Sequence, residues 1–138
     1  MHVTENVSRE VLPNGLTILV QRETSAPVVA VVTHVKAGYF DEPDHWVGMS
    51  HVLEHMLFKG TGRRGPGQIA QETQSLGGYL NAGTSYIKTV YYTALPSSSG
   101  GLEKALEIQS DALRNSALDP DELARELEVI IQEAKRKL

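Results

Sequence analysis

The run His51-Val52-Leu53-Glu54-His55 constrains this chain more than any other feature, because residues three and four apart share one face of a helix. Val47, Val52, Leu53, Met56 and Leu57 form an apolar stripe, and no proline interrupts Trp46 to Phe58, so the pattern predicts a helix there. Both imidazoles and the Glu54 carboxylate then converge on one point. Two neutral imidazoles suit zinc, yet a catalytic zinc takes three protein ligands and keeps a fourth position for water. The fold must therefore bring a distant side chain onto this helix. Glu54 reads as the base rather than a ligand, since a group that removes a proton from metal-bound water has to lie within hydrogen-bond reach of it. The competing reading is a helix whose polar surface merely carries two histidines and a glutamate.

The last helical segment offers the missing ligand. Glu126 and Glu133 lie about two helical turns apart, so their carboxylates point the same way, and Leu123, Leu127, Ile130 and Ala134 supply apolar contact nearby. One acid can bind metal while the other orients a histidine ring or a water. Spacing does not choose between them, and an arrangement with both facing solvent stays open.

Composition removes whole classes of function. A chain of 138 residues with 41% hydrophobic content suffices for one compact domain with a real core. It has no cysteine, so there is no thiolate nucleophile and no disulfide, and any metal is held by nitrogen and oxygen. The net charge is -4 and the basic residues are scattered, which argues against a nucleic-acid partner. No segment approaches a membrane span or a signal-peptide core, so the expectation is a soluble protein, with the cytoplasm favoured and periplasmic or organellar locations left open.

The remaining pattern reads as strands interleaved with helices. Ser8 to Leu12 and Leu16 to Arg22 flank the turn Pro13-Asn14-Gly15 as a hairpin, and Val28 to Lys36 is a β-branched strand. Gly60 to Gly67 ends the metal helix, and a second helix runs from about Gln68 to Leu76 until Gly77-Gly78 stops it. Tyr79 to Ser85 and Thr89 to Leu95 read as two more strands. Pro96 with Ser97, Ser98 and Ser99 leads into a helix from about Leu102 to Asn115, with Leu102, Ala105, Leu106, Ile108 and Leu113 near one broad face. The final helix has Asp119 as N-cap, Pro120 at its first position and Glu122 set for a capping box, and Lys135, Arg136 and Lys137 suit its C-terminal end. The expected fold is α+β, with a mixed, largely antiparallel sheet and helices packed on one face. The stretch Gly60 to Gly65 spells G-x-G-x-x-G, but it follows a helix rather than a strand and reads as a loop.

The order His-x-x-Glu-His is the inverted zinc motif, and the chain resembles the pitrilysin (insulinase) family of zinc metallopeptidases, which includes insulin-degrading enzyme and mitochondrial processing peptidase. The likeness covers Leu12 to Leu19, Ala37-Gly38, Gly48 through Thr61 including Phe58-Lys59-Gly60-Thr61, Gly77-Gly78, Leu80-Asn81-Ala82 with Thr84-Ser85, Thr89 to Tyr92, and Glu126 to Glu133. Val52 stands where an aromatic residue is common, and Ile87-Lys88 lacks the polar or acidic residue often found there.

The resemblance implies a processing-peptidase-like metallohydrolase fold and one Zn2+ held by His51, His55 and Glu133. It casts Glu54 as general base and Glu126 as supporting carboxylate. It also implies that Leu80, Asn81, Ala82, Gly83 and Thr84 bind a peptide or small unfolded protein as an added strand. Residues 1–138 are then expected to be the amino-terminal part of a catalytic domain, with the rest of that domain and a homologous second domain or subunit absent. Such a fragment is expected to bind zinc but cleave peptides poorly alone. Two alternatives carry distinct signatures. A non-catalytic scaffold subunit of the family is expected to have lost the His or Glu positions, and a lyase with a similar metal helix uses cysteine, which is absent here.

Overall fold

A computed structural model describes residues 6–98 and 100–136. Its centre is a three-stranded antiparallel sheet of β3 (Val28–Val35), β5 (Thr89–Pro96) and β4 (Tyr79–Thr84), in the spatial order β3-β5-β4. Strands β1 (Val7–Val11) and β2 (Thr17–Gln21) pair as a separate antiparallel hairpin around the expected turn. Two short 3-10 turns, Tyr39–Asp41 and Asp44–Trp46, lead to α1 (Met49–Met56). Helices α2 (Gln68–Ser75), α3 (Gly101–Asn115) and α4 (Pro120–Arg136) complete the order. The architecture is the α+β arrangement the pattern predicts. Ser99 and Lys137, both part of expected helix ends, lie outside the described residues.

Helix α3 covers one face of the sheet. Ile108 and Ala112 of α3 pack with Ile69 of α2, and Phe58 and Leu80 close around them. Fully burying one such aliphatic side chain stabilises the fold by about 1.5–3 kcal/mol. The Gln109 amide is buried in the same layer, donating to the carbonyls of Val31 (2.8 Å) and Tyr91 (3.3 Å) and to Thr93 Oγ1 (3.1 Å). Its oxygen accepts from Thr33 Oγ1, so no polar capacity is wasted in the core. This corrects the expected face of α3. Leu102, Leu106 and Leu113 are exposed, whereas Ala105, Ile108, Gln109, Asp111 and Ala112 are buried, because the polar pair finds specific partners that outweigh leucine burial.

Turn chemistry sets the helix ends. Gly77 has φ +74° and its N–H donates to Gln74 O, while Gly78 N–H donates to Thr73 O, the Schellman pattern of paired closing bonds. A Cβ on Gly78 would lie 2.1 Å from Leu95 Cδ2, so that position also needs the absence of a side chain. Helix α1 is shorter than expected: Gly48 takes the left-handed conformation (φ +96°) and starts it at Met49, leaving Trp46 and Val47 exposed before it. At α4, Asp119 Oδ1 accepts from the N–H groups of Asp121 (2.9 Å) and Glu122 (3.0 Å), as an N-cap should. The Glu122 carboxylate is engaged by Arg125 rather than closing a capping box.

Most of the opposite sheet face is exposed among the described residues. Val28, Val32, Tyr79 and Tyr92 are exposed there, as are Leu19 and Val20 on the hairpin. The accessible surface is 9921 Å², against about 7,100 Å² expected for a compact 15.1 kDa monomer. Among the described residues, no helix is long and apolar enough to cross a membrane.

Candidate metal centre

Helices α1 and α4 meet at the site. His51 lies against Glu133 and Lys59 against Glu126, so the two segments run in opposite directions and their polar residues mesh pairwise. His51, Glu54 and His55 share one face of α1, while Glu126 and Glu133 lie two turns apart on α4. Glu126 is buried and Glu133 is half-buried, so neither belongs to a plain solvated face.

Three atoms form a near-equilateral triangle. His51 Nε2 and His55 Nε2 are 3.2 Å apart, and Glu133 Oε2 lies 3.5 Å from the first and 3.7 Å from the second. Ligand atoms about 2.0–2.1 Å from a tetrahedral zinc are separated by about 3.3 Å, so the triangle has the right size to hold one ion. Two imidazoles and one carboxylate are also an established donor set for catalytic zinc, whereas no thiolate is present to demand another metal chemistry.

Glu126 stands behind the triangle. Its Oε2 accepts from His55 Nδ1–H at 2.9 Å, which fixes the tautomer that leaves Nε2 with a free lone pair. Burial pushes the Glu126 carboxyl up, and hydrogen bonds from Lys59 and His55 more than offset this, holding it below the ordinary glutamate value. Glu54 is outside the triangle and is gripped by β4, where Thr84 Oγ1 donates to its Oε2 at 2.5 Å. The spacing reading left Glu126 and Glu133 interchangeable. The structure separates them by position, one facing Nε2 and the other Nδ1.

An open cleft of about 500 Å³ lies over these groups. His51, Glu54, His55, Glu126 and Glu133 line it together with all of Leu80, Asn81, Ala82, Gly83 and Thr84. Strand β4 is an edge of the sheet and pairs only with β5 among the described residues, so its outer backbone groups face this cleft side. Leu80, Ala82 and Thr84 turn toward the helices, whereas Asn81 and Gly83 are exposed.

Sequence reasoning missed three contributors. Glu42 caps α1 from the preceding loop, its two oxygens accepting from Gly48 N–H and Ser50 N–H at 2.6 Å each. A cap six to eight residues away leaves no local spacing signal. Tyr39 lines the cleft, and burial first, then the Glu54 charge, raises its pKa so that it stays a neutral donor. Lys59 lines it as well, although nothing beyond its place in Phe58-Lys59-Gly60-Thr61 marked it.

The profile for insulinase (peptidase family M16) matches residues 17–137. The chain belongs to this family. It is 43% identical over 129 residues to a Rickettsia bellii protein described as an uncharacterized zinc protease, covering 94% of this chain and 31% of that one. It is 38% identical to a probable mitochondrial-processing peptidase subunit beta of Arabidopsis thaliana, covering 88% of this chain and 23% of the relative. The periplasmic protease PqqL of Escherichia coli superposes with a TM-score of 0.87 at 27% identity, over 95% of this chain and 15% of that structure. This M16 chain thus spans a third or less of the length of the relatives it matches.

Proposed function

We propose that this chain carries the zinc centre and general base of a pitrilysin-type metalloendopeptidase, as the amino-terminal part of its catalytic domain. The observation that carries this reading is the triangle of His51 Nε2, His55 Nε2 and Glu133 Oε2 with Glu54 beside it in one cleft. The exposed sheet face and the surplus surface support a further domain portion packed away from the cleft, and the open cleft itself supports a homologous domain or subunit closing over it. A non-catalytic scaffold is the weaker reading, since every His and Glu position it should have lost is present.

His51, His55 and Glu133 would hold the ion. Zinc, when bound, lowers the pKa of a water toward about 7 and polarises the scissile carbonyl. Glu54, with one oxygen held by Thr84, offers the other to the attacking water, takes its proton and returns it to the leaving amine. Strand β4 receives the peptide as an added strand, so backbone pairing fixes the scissile bond beside Glu54 with little demand on side-chain sequence. Glu126 keeps the His55 ring from rotating. The cleft is open on this chain, which alone should turn over peptides poorly.

Metal analysis of the purified chain tests the centre directly. One zinc per chain is expected, and Glu133→Gln should weaken retention by more than the roughly 10- to 100-fold typical of outer groups. In a complete protein, Glu54→Gln should keep its zinc yet lose at least about 100-fold in kcat. Zinc loss on Glu54→Gln, or unchanged affinity on Glu133→Gln, would reverse the two roles.

A further inference from the structure

The cleft is strongly unbalanced in charge. Glu54, Glu126 and Glu133 bring three carboxylates to it, and among the described residues that line it Lys59 carries the single ammonium. Lys59 does not point at the triangle. Its Nζ grips Glu126 Oε1, the oxygen that His55 does not use. The Lys59 backbone N–H is bound to Met56 O, which seats the residue directly after α1 and fixes where its side chain begins.

We infer that Lys59 is a positioning residue for the metal centre, acting through Glu126 on the His55 ring. A glutamate carboxylate has a broad terminal torsion, so one hydrogen bond alone leaves it free to rotate. Two bonds at opposite oxygens do not. With Oε1 held by Lys59, Oε2 is presented to His55 Nδ1–H, and the ring is fixed with Nε2 toward His51 and Glu133. Lys59 also cancels one of the three negative charges, leaving the cleft with two, the number a divalent cation neutralises. Removing it has opposing consequences: an extra negative charge attracts a dication, whereas a loosened Glu126 frees the ring. Positioning dominates, because Glu126 stands between the ammonium and the triangle, and the exposed part of the lysine is screened by solvent.

This inference rests on the zinc reading for its function but not for its first test. Nitrogen NMR of the metal-free chain should show His55 as the Nδ1–H tautomer, and Lys59→Met should shift it toward a mixture, with His51 responding through its Nε2 contact to His55. Zinc affinity of Lys59→Met should fall about 10- to 100-fold, and Lys59→Arg should restore most of it. In a Glu126→Gln background, Lys59→Met should have no further effect on affinity, because the coupling runs through that carboxylate. An unchanged tautomer with unchanged or tighter zinc binding in a folded Lys59→Met protein would overturn the inference. If the tautomer shifts but no variant binds zinc, the positioning role stands and the zinc reading fails.

Discussion

Two polar clusters sit on either side of the segment Lys59 to Arg64, built from similar residues and serving opposite ends. On one side, Lys59 is the one cation among the described residues that line the cleft with Glu54, Glu126 and Glu133, and it binds Glu126. On the other, Arg64 pairs with Glu72 (2.7 Å), Glu107 (2.9 Å) and Asp111 (2.5 Å), Lys104 reaches both glutamates, and Arg63 reaches Asp111. That second cluster has three cations for three carboxylates and is neutral. Asp111 accepts three hydrogen bonds, since Thr61 and Asn115 donate to it along with Arg64. The contrast teaches that carboxylates near a loop are not by themselves a site: a cluster that neutralises itself holds the fold, and one left two charges short is suited to an added dication.

The sharpest way to break this comparison is Asp111→Ala. It removes the most buried member of the neutral cluster and strands part of Arg64, so unfolding stability should drop by about 3 kcal/mol. Zinc affinity at the other cluster should stay within about twofold. Denaturant unfolding and zinc titration on the same variant check both halves, and a large loss of zinc affinity would show that the clusters are one unit.

Acid should probe the neutral cluster next. The Asp111 carboxyl lies well below its usual range, chiefly through the Asn115 hydrogen bond, opposed by burial and helped by Thr61 and Arg64. Arg64 and Lys104 likewise hold Glu72 and Glu107 low. Each group binds its proton more readily when unfolded, near 3.8 for Asp and 4.5 for Glu. The stabilisation is thus complete above those values and is lost as pH falls through the depressed folded ones. Melting temperature of the metal-free chain should fall below about pH 5, and Asp111→Asn should flatten that fall. A wild-type slope in the variant would remove the cluster from the account.

How much of this was legible in the sequence divides along the same line. Periodicity of 3.6 and the fixed spacing of His51, Glu54 and His55 are local, so the helix face and its chemistry could be read directly. The sheet was equally plain, because Val28 to Val35 is dense in β-branched residues and Thr89 to Pro96 in β-branched and aromatic ones, each between turn signals. Partnerships between distant residues were not. Nothing local says that Asp111 and Gln109 go inward on α3 while Leu102 and Leu106 go outward, since that depends on Arg64 and on the carbonyls of β3 and β5. Choosing between Glu126 and Glu133 needed the family pattern, because two turns of helix make their directions equivalent. Lys59 and Glu42 act across the same kind of gap, each identified only once its partner is in place.

Arg63 offers the smallest and most discriminating test, because it is the exposed counterpart of Lys59. Both are cations bound to a buried carboxylate, but the Arg63 side chain is 65% exposed and 3.4 Å from Asp111, against 34% for Lys59 in direct contact with Glu126. Asp111 keeps Arg64, Thr61 and Asn115 when Arg63 is removed, whereas among the described residues Glu126 keeps only His55 when Lys59 is removed. Arg63→Ala should therefore change stability by no more than about 0.5 kcal/mol, and this should shrink further in high salt. If Arg63→Ala proves as costly as Asp111→Ala in denaturant unfolding, overall charge balance governs the cluster. If it is nearly silent, as expected, redundancy of partners on the buried acid is what distinguishes the structural cluster from the one that depends on a single lysine.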